Sequence, residues 1–133
     1  MPALHRPIVR ILASVFLLAV GGTACHRTGD GPRELLDRYF STAVRQDYVS
    51  TWACYDENYR SKVSRDEYVR HRREASRLLS WKTSALEQHG DTARAEVELV
   101  FAPSPRLGRS EPVTRKVVEE LVREREGWRV KVW

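Results

Sequence analysis

The chain has 133 residues, 41% hydrophobic and 31% charged, with a formal net charge of +5. That balance excludes a disordered tail and leaves room for one domain of common size with a real core. Arg6 and Arg10 lie in a leader without acids, so 21 of the 23 basic residues face all 18 acidic ones from Cys25 onward, and a surplus this small argues against a nucleic-acid partner.

Residues 1–24 read as a signal peptide. His5, Arg6 and Arg10 supply the positive start, Ile11 to Val20 is apolar apart from Ser14, and Gly21-Gly22-Thr23-Ala24 is a small-residue cleavage stretch. The apolar run is too short to be a permanent span, which needs roughly 20 residues for about 30 Å of hydrocarbon. The string Leu18-Ala19-Val20-Gly21-Gly22-Thr23-Ala24-Cys25 resembles the lipobox of bacterial lipoproteins, although Gly22 stands where that pattern prefers Leu. The resemblance implies acylation at Cys25, hence a membrane anchor facing the periplasm; plain secretion after cleavage at the same bond is the rival reading. His26, in place of a retention aspartate, tilts the expectation toward the outer membrane. Cys54 is the other cysteine and reads as a small buried hydrophobe, with no metal spacing around it.

Residues 25–32 form a lipidated terminus and spacer, and 33–133 the folded domain. Leu35, Leu36, Tyr39, Phe40, Ala43 and Val44 recur at helical spacing after Pro32. Gln46-Asp47 breaks the pattern, and Tyr48 to Tyr55 reads as a short second helix. Asp56-Glu57-Asn58 reads as a polar turn. Ser64-Arg65-Asp66-Glu67 is a capping box, opening a third helix expected to reach about Leu79 and to bury Tyr68, Val69, Ala75, Leu78 and Leu79. Ala93, Ala95, Val97, Leu99 and Phe101 then alternate with outward residues, the mark of a strand with one buried face. Trp81 to Glu87 is its expected partner across the Gln88-His89-Gly90-Asp91 turn. A loop with Pro103, Pro105, Gly108 and Pro112 follows. Val113 to Glu126 fits helix and strand alike, and Trp128 to Trp133 is an alternating strand with Trp128, Val130 and Val132 on its buried side.

This order, closing on Glu126-Gly127-Trp128-Arg129-Val130, resembles the nuclear transport factor two-like superfamily and its small bacterial lipoproteins. The opening helix up to Gln46-Asp47-Tyr48 and the strand Ala93-Arg94-Ala95-Glu96-Val97 carry the rest of the likeness. It implies an α+β cone, in which a curled antiparallel sheet of about four strands wraps around the first helix beside two further helices. It also implies that Val113 to Glu126 is a long strand.

Enzymes of that superfamily place an acid or a histidine, often with a tyrosine, inside the cone. The inward face of the clearest strand has no carboxylate, so a general acid or base has to come from the helices or another strand. Asp47 and Asp56 are the nearest acids, read as a helix cap and a solvated turn, and no catalytic residue is assigned. The four histidines are scattered and suggest no metal, and no cofactor is expected. Tyr39, Tyr48, Trp52, Tyr55 and Tyr59 form an aromatic set that either fills the core or lines a cone mouth; Tyr39, Trp52 and Tyr55 are its candidate ligand contacts. Arg70, Arg72, Arg73 and Arg77 with His71 make a basic ridge, either solvated or in contact with anionic lipid or wall polymer. The expected role is a non-catalytic, envelope-anchored module binding a small ligand or a protein partner, with an exported isomerase or hydratase as the alternative.

Overall fold

The computed structural model describes residues 30–133, so the expected signal peptide and Cys25 lie outside the described residues. Pro32 opens helix α1 (Pro32–Val44), where a missing N–H costs nothing. Leu35, Leu36, Phe40 and Ala43 share one stripe and all are buried. Each large apolar side chain taken out of water there contributes about 1.5–3 kcal/mol. The helix ends with Gln46 N–H donating to the Ala43 carbonyl (3.0 Å) and Asp47 N–H to that of Thr42 (2.9 Å). This is a Schellman ending, and it holds Gln46 at φ 60°. Asp47 then caps α2 (Tyr48–Ala53), as expected, accepting from the Ser50 N–H at 3.2 Å.

The next stretch departs from expectation. The polar turn at Asp56 to Asn58 is instead the start of α3 (Glu57–Lys62), and Asp56 is buried, its carboxylate accepting from the Tyr59 N–H at 3.0 Å. None of the six residues of α3 is buried, so no apolar period announces this helix. Ser64 opens α4 (Arg65–Glu74) by accepting from the Glu67 N–H at 3.3 Å. The helix ends at Glu74 rather than near Leu79, because Tyr68 is its one buried residue and no stripe continues it. Leu78 and Leu79 begin the sheet instead, Leu78 buried opposite Phe101 and Leu79 exposed. Three helices follow α1 where two were expected.

The sheet is an antiparallel meander of β1 (Leu78–His89), β2 (Thr92–Phe101), β3 (Val113–Glu124) and β4 (Gly127–Lys131). The expected inward face of β2 is found, with Ala93, Ala95, Val97 and Leu99 buried and Phe101 half-buried. β3 pairs with the whole length of β2, from Phe101 opposite Val113 to Thr92 opposite Val122. Tertiary pairing thus overrides the helix propensity of its Glu119-Glu120 core. Register shifts between Leu78 and Ser80 and between Thr83 and Ala85 bend β1, and such bulges curl a sheet. The curled face packs on α1, and Trp128 and Val130 are buried against it as expected. Val132 lies beyond β4 and is half-buried. The free edge of β4 is closed by the α2–α3 link, with Val130 N–H donating to the Cys54 carbonyl and Asp56 N–H to that of Val130, both at 2.9 Å. The result is the α+β cone. Among the described residues, no helix is long and apolar enough to cross a membrane.

Candidate functional site

Residues directly opposite in an antiparallel pair share a face of the sheet. Glu119 on β3 lies opposite Ala95, which is 0% exposed on the inner face. Val117 and Leu121 flank it on the same side, opposite Val97 and Ala93. A carboxyl group therefore sits inside the cone after all, on the strand whose parity the sequence leaves open. Burial pushes its pKa up to about 7. Among the described residues, no Lys, Arg or His forms an ion pair with it.

Three tyrosines, from α1, the link after α2, and α4, meet one another, and Tyr39 among them feels the charge of Glu119. The hydroxyls of Tyr39 (α1) and Tyr55 (after α2) are 2.6 Å apart, and those of Tyr55 and Tyr68 (α4) 3.5 Å. Their rings pack edge to face, with centroids 5.4 Å apart in both pairs, and Tyr59 lies against Tyr55 at 4.4 Å. Burial holds Tyr39 well above the ordinary phenol pKa, and the charge of Glu119 adds to that effect. Burial likewise raises Tyr55, Tyr68 and Tyr59. At neutral pH every phenol keeps its proton, so the chain of hydroxyls can both donate and accept. Half-buried Trp81, Leu86, Phe101 and Val117 border the same inner face, Trp81 stacked on Phe40 at 6.1 Å.

Of the three expected ligand contacts, Tyr39 and Tyr55 come together and Trp52 does not. The Trp52 indole N–H donates to the Val63 carbonyl at 3.0 Å, and Arg60 lies 5.8 Å from the ring centroid. Trp52 fastens α2 to the end of α3. Tyr48 is also apart from the hydroxyl chain, buried with Arg72 over its ring at 5.6 Å. Tyr68 completes the chain, having been expected only as a buried helix residue. Asp47 is exposed and held below the usual carboxylate range by its bonds to Ser50, while Asp56 caps α3; both roles are structural. Glu119 replaces them as the acid of the cone. Its signal was the alternation Val117, Glu119, Leu121, legible only once the segment is taken as a strand.

Two surface grooves lie elsewhere. One, of about 910 Å³, runs between the start of α1, α2 and the β3–β4 hairpin, walled by Arg38, Cys54, Arg123, Arg125 and Arg129. The other, of about 520 Å³, lies between α2 and α4 and is bordered by Val49, Val69, Arg65, Arg70 and Arg73. Arg70 and Arg73 are exposed on α4, as the basic ridge requires. Arg77 is not on that helix; it falls in the link to β1, its carbonyl accepting from the Ala102 N–H at 2.8 Å. Among the described residues, no group of His, Cys, Asp and Glu is placed to hold a metal ion.

No protein-family model matches the chain, and no curated protein sequence matches it. Solved structures share its fold. A SEC-C motif containing protein from Rhodopseudomonas palustris is similar with a TM-score of 0.63 and 16% identity, over 76% of this chain and 75% of that one. Another from Psychrobacter arcticus gives 0.62 and 11%, over 77% of this chain and 59% of that one. A protein named as an NTF2-like transpeptidase, from Campylobacter jejuni, gives 0.54 and 12%, over 78% of this chain and the whole (100%) of that one. At these identities the likeness is one of architecture, and it agrees with an NTF2-like type of cone.

Proposed function

We propose that the chain is an envelope-tethered module, anchored by acylated Cys25, that binds a small polar or amine-bearing ligand at Glu119 and the tyrosine hydroxyls. The observation that carries this reading is Glu119 on the inner face, with no ion-pair partner among the described residues and with its charge acting on Tyr39 of the Tyr39–Tyr55–Tyr68 chain. A half-buried carboxyl in such a place gains from a ligand that donates hydrogen bonds or brings a positive charge. The half-buried rings around it supply the apolar surface typical of small-molecule sites. Contact of Arg70 and Arg73 on α4 with an anionic wall polymer would add a second hold on the envelope.

A thermal-shift screen of amines, polyols and sugars tests the site. Compounds that stabilise the parent should lose their effect in Glu119→Gln and weaken in Tyr55→Phe, both still folded. Hits that survive both substitutions would place binding elsewhere. The anchor is tested separately: an alkynyl fatty acid should label the parent and not Cys25→Ser.

One observation favours the enzyme as a second reading. A carboxyl titrating near 7 is suited to act as general base or acid at neutral pH. That reading requires an isomerase- or hydratase-type turnover that Glu119→Gln abolishes in a protein whose melting temperature is not lowered. Asp47→Asn should leave such a turnover intact.

A further inference from the structure

The larger groove holds four arginines, and its three acids are already engaged. Arg38 pairs with Asp30 at 3.1 Å, and Arg129 with Glu126 at 3.6 Å. Glu124 accepts the Glu57 N–H at 2.9 Å. Among the described residues, Arg123 and Arg125 form no ion pair, and both are exposed. Arg129 is only 13% exposed; its Nη1 donates to the Trp128 carbonyl at 3.0 Å, while its buried Nε meets no acceptor among the described residues. Arg123 lies opposite Trp128 and so shares the concave face of the sheet at its open end. Guanidinium forks of this kind match the oxygens of phosphate in geometry and charge.

We propose that this groove binds the phosphate of an anionic lipid headgroup. Asp30 forms part of its wall and stands five residues beyond Cys25. Five residues reach at most about 17 Å, so a chain acylated at Cys25 holds the groove within reach of the headgroup layer. The choice of lipid as the source rests on the anchoring reading above, whereas the phosphate chemistry rests on the arginines alone. The groove beside α4 has no such tie to the start of the described chain.

The experiment uses the mature chain from residue 25 with Cys25→Ser, so that no acyl group contributes. Co-sedimentation is measured with vesicles of phosphatidylglycerol in phosphatidylcholine and with phosphatidylcholine alone. The parent should prefer the anionic vesicles. At about 1 kcal/mol per arginine near a charged surface, Arg123→Ala with Arg125→Ala should weaken that binding on the order of thirtyfold. Arg70→Ala with Arg73→Ala, taken from the other groove, should change it far less. The proposal falls if the parent shows no preference, or if the preference survives loss of Arg123 and Arg125. Binding of soluble glycerol phosphate at these arginines without a vesicle preference would overturn the lipid assignment. Because the tested chain lacks the acylated cysteine, none of these failures can be mistaken for failure of the anchor, which fatty-acid labelling reads.

Discussion

Glu119 gives the inner face a pH dependence whose sign can be worked out. Its pKa is raised from 4.5 to about 7 in the folded chain by burial. Between those values the folded state holds a proton that the unfolded state has released. Stability should therefore fall as pH rises through that window and level off above about 7. The loss attributable to this residue is at most about 3 kcal/mol. Glu119→Gln should remove it, so urea unfolding across pH 4.5 to 8 should show a flatter profile for the variant. Parallel profiles would mean that the carboxylate is solvated. Trp128, 5% exposed in the core, makes a second residue-level test: Trp128→Ala should cost about 3–5 kcal/mol in the same assay. The site was half legible from the sequence. Tyr39 lies on a clear helical stripe, and Tyr55 follows a cap that could be named. Trp52 was misplaced because its direction depends on α3, which leaves no apolar trace. Glu119 was hidden because parity has no meaning in a segment that reads equally well as helix.

Elements were legible where one face is buried along their length. The α1 stripe and the alternation of β2 and β4 are of that kind; α1 and β2 stand where expected, and β4 does so as far as Lys131, two residues short of its expected end. The long strand β3 came from the resemblance, since its residues alone permit a helix. The end of α4 and the whole of α3 were not legible, for α4 buries one residue and α3 none. What fixes α3 is its cap and its tie to the sheet through the Asp56 N–H and the Glu124 carboxylate. Asp56→Ala should therefore cost about 1–2 kcal/mol, the usual range for a lost N-cap at a buried site. The Schellman ending of α1 predicts the opposite sign. Gln46 occupies the left-handed position that glycine favours, at φ 60°. Relief of that conformation should make Gln46→Gly more stable by about 1 kcal/mol, less the entropy glycine adds to the unfolded chain. An unchanged or lowered unfolding midpoint would show that the Gln46 side chain contributes contacts of its own.

At the scale of the whole molecule, one core joins every strand to α1 and to the end of α2. Cys54 belongs to it, 3% exposed, with its thiol directed to the Ser50 carbonyl at 3.4 Å and burial raising its pKa. Its own carbonyl is tied to Val130, so moving this stretch of backbone to expose the thiol breaks the closure of β4. A thiol this shielded reacts only through an opening of the fold. If the α2–α3 link opens only with the rest of the molecule, labelling of Cys54 must report global unfolding. The Cys25→Ser chain leaves Cys54 as the single thiol. Its labelling rate in native buffer should equal the reagent's intrinsic rate reduced by the unfolding equilibrium constant. That rate should also rise with urea along the slope measured for global unfolding, since both expose the same surface. A labelling rate nearly independent of urea would mean that α2 and its link open locally, leaving the edge of β4 uncovered while the sheet stays folded.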